Sequence, residues 1–365
     1  MTPGPWLTPL PDAEQMRATD AWAIERQGIP SLDLMERAGA GLADLVSEIA
    51  PGGTVAILCG GGNNGGDGFV AARLLREAGR DVRVAVTSDL DGYAGDAKAN
   101  LDRLGREPEP FDERILDGAA VAVDAMLGTG FSREVREPVR GAIEALNHRA
   151  ADEGLKVVAC DVPSGVDAST GEVADLAVRA DATATFHQAK PGLWIAPGKG
   201  HAGVVRTIDI AIPDGAPVQP WAGLVAPSVV REVPGRAAAS TKFSSGHVLV
   251  VGGSTGLTGA PCLSAMAAMR AGAGYVSCGV PASLNPIFEQ RLLEVMSIPL
   301  PDADGHLTEG AAERLLQEAD RRGGALVAGP GFGRSDGAVA LARTLAVKAP
   351  VPLVLDADGL NAHAG

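Results

Sequence analysis

Three short polar segments, each following an apolar run, hold the residues able to do chemistry. The first is CGGGNNGGDGFVAARLL, from Cys59 to Leu75. Its glycines allow backbone to approach a ligand closely. The N–H groups opening the following helix make an anion site, worth about 0.3–1 kcal/mol per favourable charge. No Lys-Ser/Thr pair follows, and the spacing is not G-x-G-x-x-G, so neither of the common nucleotide-loop fingerprints is present. A tight βα turn would by itself account for Gly65 and Gly66, but not for the polar cluster Asn63, Asn64 and Asp67. The second segment is VAVDAMLGTGFSREV (121–135), with Asp124 near the end of the apolar run and a glycine turn after it. The third is ACDVPSGVDASTG (159–171), which places Asp161, Ser164 and Asp167 just past another apolar run.

If the three runs are strands of one parallel sheet, their loops leave along one edge, where open α/β sheets bind ligands. Asn64, Asp124 and Ser164 can then converge. Their oxygens are hard ligands, suited to an alkali or alkaline-earth cation rather than zinc, and one carboxylate among neutral oxygens favours a monovalent ion. Taken alone, Asp124 reads equally well as a solvated turn residue. Asp161 differs, because it follows an apolar strand and precedes Val162-Pro163. Partial burial there would raise its pKa toward the range useful for proton transfer, and a nearby cation would pull it back down.

The elements that must position these residues are legible as a rhythm. Two helices open the chain, 12–27 with Asp12 and Gln15 in capping-box spacing, and 31–50 with Leu34, Ala38, Leu42, Leu45 and Ile49 on one face. TVAILC (54–59), DVRVAV (81–86), VAVDAM (121–126) and KVVACDV (156–162) then alternate with helical stretches near 68–79, 94–105 and 134–152. Apolar runs without alternation, separated by helices, predict a parallel sheet covered on both faces. DATATF (181–186) and VVRTIDI (204–210) are expected to complete it. Residues 213–240 carry many prolines and no periodicity, which predicts a linker between a first domain, 1–212, and a second, 241–365. In the second, GHVLVVGG (246–253), YVSCGV (275–280), ALVAGPG (325–331) and VPLVLDADG (351–359) predict three or four further strands. The last of these falls a few residues before Gly365, so this domain reads as incomplete.

Composition narrows the function classes. The 365 residues are 46% hydrophobic and 21% charged, a globular profile, and the 48 glycines and 25 prolines suit many βα turns. The formal net charge of −14 argues against bulk binding to nucleic acid or to an anionic membrane. Cys59, Cys160, Cys262 and Cys278 lie far apart with no C-x-x-C, as expected of buried thiols in a reducing compartment. No signal peptide or membrane-spanning run is visible, so a cytoplasmic location is expected. The six histidines show no H-x-x-H pattern. His187 to Lys190 border the expected edge, but no role for Lys190 follows from the sequence.

The motifs NNGGDG, DAMLGTGFSREV, DVPSGVDASTG and TATFHQAKPGLWIAPGKGHAGVV, in this order, closely resemble the bacterial NAD(P)H-hydrate repair enzymes over about residues 10–212. The resemblance implies a Rossmann-like three-layer αβα epimerase domain. It implies binding of hydrated NADH or NADPH by Asn63, Asn64, Gly65, Gly66 and Asp67, by Gly128, Thr129, Gly130, Phe131, Ser132, Arg133 and Glu134, and by Asp161. Potassium is implied on Asn64, Asp124 and Ser164. Beyond the linker, VVGGSTGLTGAP, AGAGYVSCGVP, LVAGPGFGRS and LVLDADGLN resemble the ADP-dependent dehydratase domain, of ribokinase-like α/β fold, with Ala260 and Gly331 at positions that contact the hydrate. The family's later histidine loop, lysine-containing nucleotide loop and G-D anion hole have no counterpart up to Gly365. Dehydration with ADP is therefore expected only of a longer gene product.

An isomerase of the (R) and (S) hydrates, with Asp161 as catalytic acid and base, is the leading reading, and a homo-oligomer is compatible with it. A non-catalytic binding or scaffold module of the same fold is the alternative; it would be expected to lack Asp161 or the cation ligands, which are all present. An ordinary NAD(P)-dependent dehydrogenase would need the G-x-G-x-x-G fingerprint with its acidic partner, which is missing.

Overall fold

The computed structural model describes residues 6–131, 134–173, 175–235 and 237–364. The chain divides into two compact units, one up to Glu232 and one from Val233 onward.

In the first unit β1 (Leu7–Leu10) precedes α1 (Ala13–Glu25) and α2 (Ser31–Ile49). Then come β2 (Thr54–Cys59), α3 (Asn63–Glu77), β3 (Val82–Val86), α4 (Gly95–Arg103), β4 (Glu109–Pro110), β5 (Ala119–Ala125), α5 (Val139–Glu153), β6 (Lys156–Cys160), β7 (Ala182–Phe186), β8 (Val204–Ile208) and β9 (Ala222–Val225). Strands β2 to β8 form one parallel sheet in the order β4-β3-β2-β5-β6-β7-β8. Both faces of β2 are used. Val55, Ile57 and Cys59 pack with Leu42 and Val46 of α2 and Leu75 of α3, while Ala56 and Leu58 pack with Ile143 and Leu146 of α5. That is why the strands read as unbroken apolar runs rather than alternating ones.

The strand order reverses between β2 and β5. From β2 the chain steps outward through β3 and β4, and from β5 it steps the other way through β6, β7 and β8. Adjacent connections that diverge leave a crevice at the carboxyl ends of the two strands, the place where doubly wound sheets take their ligands.

Helix α1 opens with the capping box the sequence predicts: Gln15 N–H donates to Asp12 Oδ1 at 2.9 Å, and Asp12 N–H donates to Gln15 Oε1 at 3.0 Å. The proline-rich stretch is not featureless. Strand β9 pairs antiparallel with β1, from Leu7↔Val225 to Leu10↔Ala222. Trp221 Nε1 donates to Asp12 Oδ2 at 3.1 Å, and Gln15 Nε2 donates to the Gln219 carbonyl at 2.9 Å. Prolines occur at Pro220 and Pro227 beside this short pairing but not within β9, where an N–H would be lost.

The second unit runs β10 (His247–Val251), α6 (Gly259–Ala271), β11 (Tyr275–Pro281), α7 (Asn285–Arg291), β12 (Met296–Leu300), β13 (Asp302–Ala303), β14 (His306–Leu307), α8 (Ala312–Arg322), β15 (Ala325–Ala328), α9 (Asp336–Lys348), β16 (Leu353–Leu355) and α10 (Asp358–Asn361). Its parallel sheet has five strands, β12-β11-β10-β15-β16, one more than the apolar runs suggest. The missed strand, β12, is an edge strand with exposed Met296 and with Pro299 inside it, a composition that edge positions tolerate and buried strands do not. All four cysteines are buried free thiols. Among the described residues, no helix is long and apolar enough to cross a membrane.

Candidate active site

A cavity of about 880 Å3 opens at the carboxyl ends of β2 and β5. Its walls come from α1 (Asp20), from Gly61 to Asn64 after β2, from Gly128 to Phe131 after β5, and from Asp161 and Lys190 after β6 and β7. The volume lies in the range of sites for small molecules and cofactors.

The glycine tract is placed differently from the sequence expectation. Helix α3 begins at Asn63 rather than near residue 68, so most of the tract forms its first two turns and only Gly60–Gly62 remain loop. The glycines then divide by task. Gly61 and Gly62 are exposed at the cavity. A Cβ on Gly60 would lie 1.8 Å from the Met126 carbonyl oxygen, and one on Gly65 only 1.9 Å from the Gly60 oxygen. On Gly66 it would press into Met35, at 2.7 Å from the sulfur. Gly65 and Gly66 therefore permit close packing of protein on protein, not of protein on ligand. Gly65→Ala is expected to destabilise the chain by about 1–3 kcal/mol through overpacking against rigid backbone, read as a lower urea midpoint. Helix α3 has no side-chain cap, which leaves the N–H groups of its first turn for an anion.

Asn64, Asp124 and Ser164 are all buried; the Leu127 carbonyl links Asn64 with Ser164, and Ser164 links them to Asp124. Ser164 Oγ donates to Asp124 Oδ1 at 2.5 Å, and Ser164 N–H donates to Asp124 Oδ2 at 2.7 Å. Asn64 Nδ2 donates to the Leu127 carbonyl at 2.9 Å, and Ser164 Oγ lies 3.4 Å from the same oxygen. Leu127 N–H in turn donates to Ser164 Oγ at 2.9 Å. Asn64 Oδ1 is buried without a hydrogen-bond partner among the described residues. Burial pushes the Asp124 carboxyl up to about 6, against the lowering effect of the Ser164 and Met126 hydrogen bonds. The orphaned amide oxygen beside a buried carboxylate makes a donor set that a single cation would satisfy.

Asp161 sits at the end of β6 with left-handed backbone, φ +63°. Its N–H still joins the sheet, donating to the Ala184 carbonyl at 2.7 Å. Three donors meet on Oδ1: Lys190 Nζ at 2.5 Å, Thr185 Oγ1 at 3.1 Å and Phe186 N–H at 3.3 Å. Among the described residues no donor reaches Oδ2, and that oxygen is the one available to a ligand. Lys190 is 1% exposed, and its ammonium is fully engaged, on Asp161, on Thr185 Oγ1 at 2.9 Å and on the Phe186 carbonyl at 3.1 Å. His187, also left-handed at φ +59°, curls the loop so that Lys190 returns to the strand end.

Two more carboxyls face this pair. Burial raises Asp20 to about 6; Lys190 lowers it in part, and Asp161 raises it further. Burial also holds Asp67 well above the carboxylate range, aided by Asp161 and Asp20 and opposed by Lys190. The structure thus gathers Asn63, Asn64, Asp67, Gly128, Thr129, Gly130, Phe131, Glu134 and Asp161 around one cavity. Ser132 and Arg133 lie outside the described residues. Ala260 and Gly331 belong to the second unit. Ala260 is exposed at the start of α6. Gly331, at φ +69°, accepts from Ser254 Oγ at 3.0 Å beside the β10–β15 strand ends.

No sequence motif assigns a role to Asp20 or Lys190. Lys190 follows a strand of the same sheet, so the rule that all loops leave along one edge could have found it. Asp20 lies on a helix with no motif, and nothing local marks it.

A doubly wound parallel sheet with a carboxylate-lined cavity of this volume at its reversal point defines an open α/β protein with a small-molecule site. Residues 31–192 match the family model described as YjeF-related protein N-terminus, and residues 248–365 match that described as NAD(P)H-hydrate dehydratase. The bifunctional NAD(P)H-hydrate repair enzyme of Salinibacter ruber is 39% identical over 389 residues, covering 98% of this chain and 70% of that protein. Those of Thermanaerovibrio acidaminovorans (39% identical, 96% and 70% covered) and Coxiella burnetii (35%, 97% and 71%) match along similar lengths. The chain belongs to the family of bifunctional NAD(P)H-hydrate repair enzymes.

Proposed function

We propose that the first unit interconverts the (R) and (S) forms of hydrated NADH and NADPH. The observation that carries this reading is Asp161, which lines the cavity, is fixed through one oxygen by Lys190 and, among the described residues, has no donor on the other. In the hydrate, the carbon bearing the hydroxyl (C6) is bonded to the ring nitrogen. The nitrogen lone pair can expel the hydroxyl as water once a proton is supplied, giving an iminium, and water can add back to either face. Asp161 moves that proton, an effect typically worth about 10²–10⁴-fold. The uncapped start of α3 takes the pyrophosphate, and Gly128 to Phe131 close over the remainder. The experiment is NMR of an (R)-hydrate sample with the chain added. Conversion no faster than in buffer would leave the scaffold reading in its place.

Potassium fits the cluster below the cavity. Asn64 Oδ1, the Asp124 carboxylate, Ser164 Oγ and the Leu127 carbonyl would hold it, a set of hard oxygens with a single negative charge. Bound there, the ion would balance Asp124 and fix the loops after β2, β5 and β6. Without it, the folded state of Asp124 holds its proton up to about pH 6, whereas the unfolded carboxyl releases it near 3.8. The corresponding stability is complete below the unfolded value and is lost as pH rises through the folded one, by about 3 kcal/mol. Asp20 contributes in the same direction. In choline buffer, unfolding free energy should therefore fall between about pH 4 and 6. Potassium should restore the Asp124 share, so that its stabilising effect is larger at neutral pH than at acid pH. Urea midpoints that are equal in potassium and choline at neutral pH would remove the ion from this site.

For the second unit, the family's dehydration of the (S) hydrate with ADP would draw on Ala260 and Gly331. The appearance of dihydronicotinamide absorbance on adding ADP to the hydrate would report it.

A further inference from the structure

The cavity holds more carboxyls than its cations can satisfy. Lys190 spends all three N–H donors on Asp161, Thr185 and Phe186, and none reaches Asp67. Asp67 lies on the second turn of α3, lines the cavity and is 9% exposed. Among the described residues, its carboxyl has no hydrogen-bond donor or acceptor. Arg17, the other cation lining the cavity, is exposed. Without a donor from the protein and with the Asp161 and Asp20 carboxyls facing it in the cavity, the neutral acid is favoured over one more negative charge, and that acid has a proton to give. Asp161, on a different wall of the same cavity, is the opposite case, a carboxylate with three donors on one oxygen. A carboxylate anchored by three donors and a carboxyl with none, on one cavity, form a pair that can divide the acid and base roles.

We propose that Asp67 is the second proton-transfer group of the epimerase, acting on the hydroxyl at one face of the hydrated ring while Asp161 acts at the other. This rests on the epimerase reading and deepens it. In one direction the C6–O bond breaks with its electron pair on oxygen, the ring-nitrogen lone pair forms the N1=C6 bond, and the Asp67 proton converts the departing oxygen to water. A water then adds to the opposite face, the N1=C6 π pair returns to nitrogen, and the proton released goes to the Asp161 carboxylate. The reverse direction starts from the Asp161 acid and the Asp67 carboxylate. Between turnovers the two groups re-equilibrate with cavity water. Inversion at one carbon handles a proton on each face of the ring, and a second carboxyl on the same cavity offers a group for the face that Asp161 does not serve.

The groups facing Asp67 are Asp20 on α1, Asp161 after β6 and Lys190 after β7, with the buried thiols Cys59 and Cys160 electrostatically coupled to it. The test uses the full chain and an (R)-hydrate sample, with kcat and KM followed across pH. Asp67→Asn is expected to lower kcat by about 10²-fold or more with KM changed by no more than about threefold. The wild-type decline of kcat at alkaline pH, where Asp67 ionises, should be absent from what activity remains. A folded Asp67→Asn variant with kcat within about threefold of wild type overturns the proposal. If that variant does not fold, Asp67→Glu decides: a displaced alkaline limb supports the acid role, and an unmoved one overturns it. Failure of the epimerase reading is distinct, since wild type itself would then not accelerate interconversion. An active wild type that Asp161→Asn disables but Asp67→Asn does not defeats this inference alone.

Discussion

Asp161→Asn is expected to lower kcat for hydrate interconversion by about 10²–10⁴-fold, the range lost when a positioned proton-transfer group is removed. Asparagine is the informative replacement because of the backbone. Residue 161 sits at φ +63°, a region that asparagine enters readily and that costs most other L-residues about 1–2 kcal/mol. The amide keeps an acceptor oxygen for Thr185 and for Phe186 N–H, so the strand end is retained while the proton chemistry is lost. A variant that interconverts the epimers at the wild-type rate would take Asp161 out of the reaction.

The second large effect is on stability. The ion pair between Lys190 and Asp161 is withdrawn from water, with the two side chains 2% and 13% exposed. Removing one partner of such a pair strands the other, and losses of about 3–5 kcal/mol are usual. Lys190→Met should therefore lower the unfolding free energy by that order, and Asp161→Asn should also destabilise, because the buried ammonium loses its counterion. In the double variant Asp161→Asn with Lys190→Met neither charge is left alone, so much of the stability should return while activity does not. Urea unfolding of the four proteins gives the coupling directly. Additive losses would mean that the pair does not act as a unit.

Much of this site could be read from sequence because a parallel sheet makes one geometric promise: whatever follows each strand appears at the same edge. That promise brings Asn64, Asp124 and Ser164 together without any knowledge of their contacts. It applies equally to Lys190, four residues past β7, although a lone lysine carries no motif to single it out. Leu127 could not be found in this way, since it enters through its main-chain carbonyl and side-chain type says nothing about that. Asp20 depends on how α1 lies across the sheet, a packing outcome with no local mark. The glycines are the instructive error. Their number suggests room for a ligand, yet at Gly60, Gly65 and Gly66 the nearest obstacle to a side chain is the protein itself. A strand such as β12, with Pro299 inside and Met296 exposed, lacks the apolar run that marks its neighbours, and its pairing depends on β11 being present.

The pairing of β1 with β9 has a mechanical consequence. The segment leading to Glu232 is fastened to the opening of α1 by a four-residue ladder, by Trp221 on Asp12 and by Gln15 on Gln219. Tension on the chain beyond Glu232 is therefore taken up first at the head of the helix that carries Asp20 into the cavity, rather than by the central sheet.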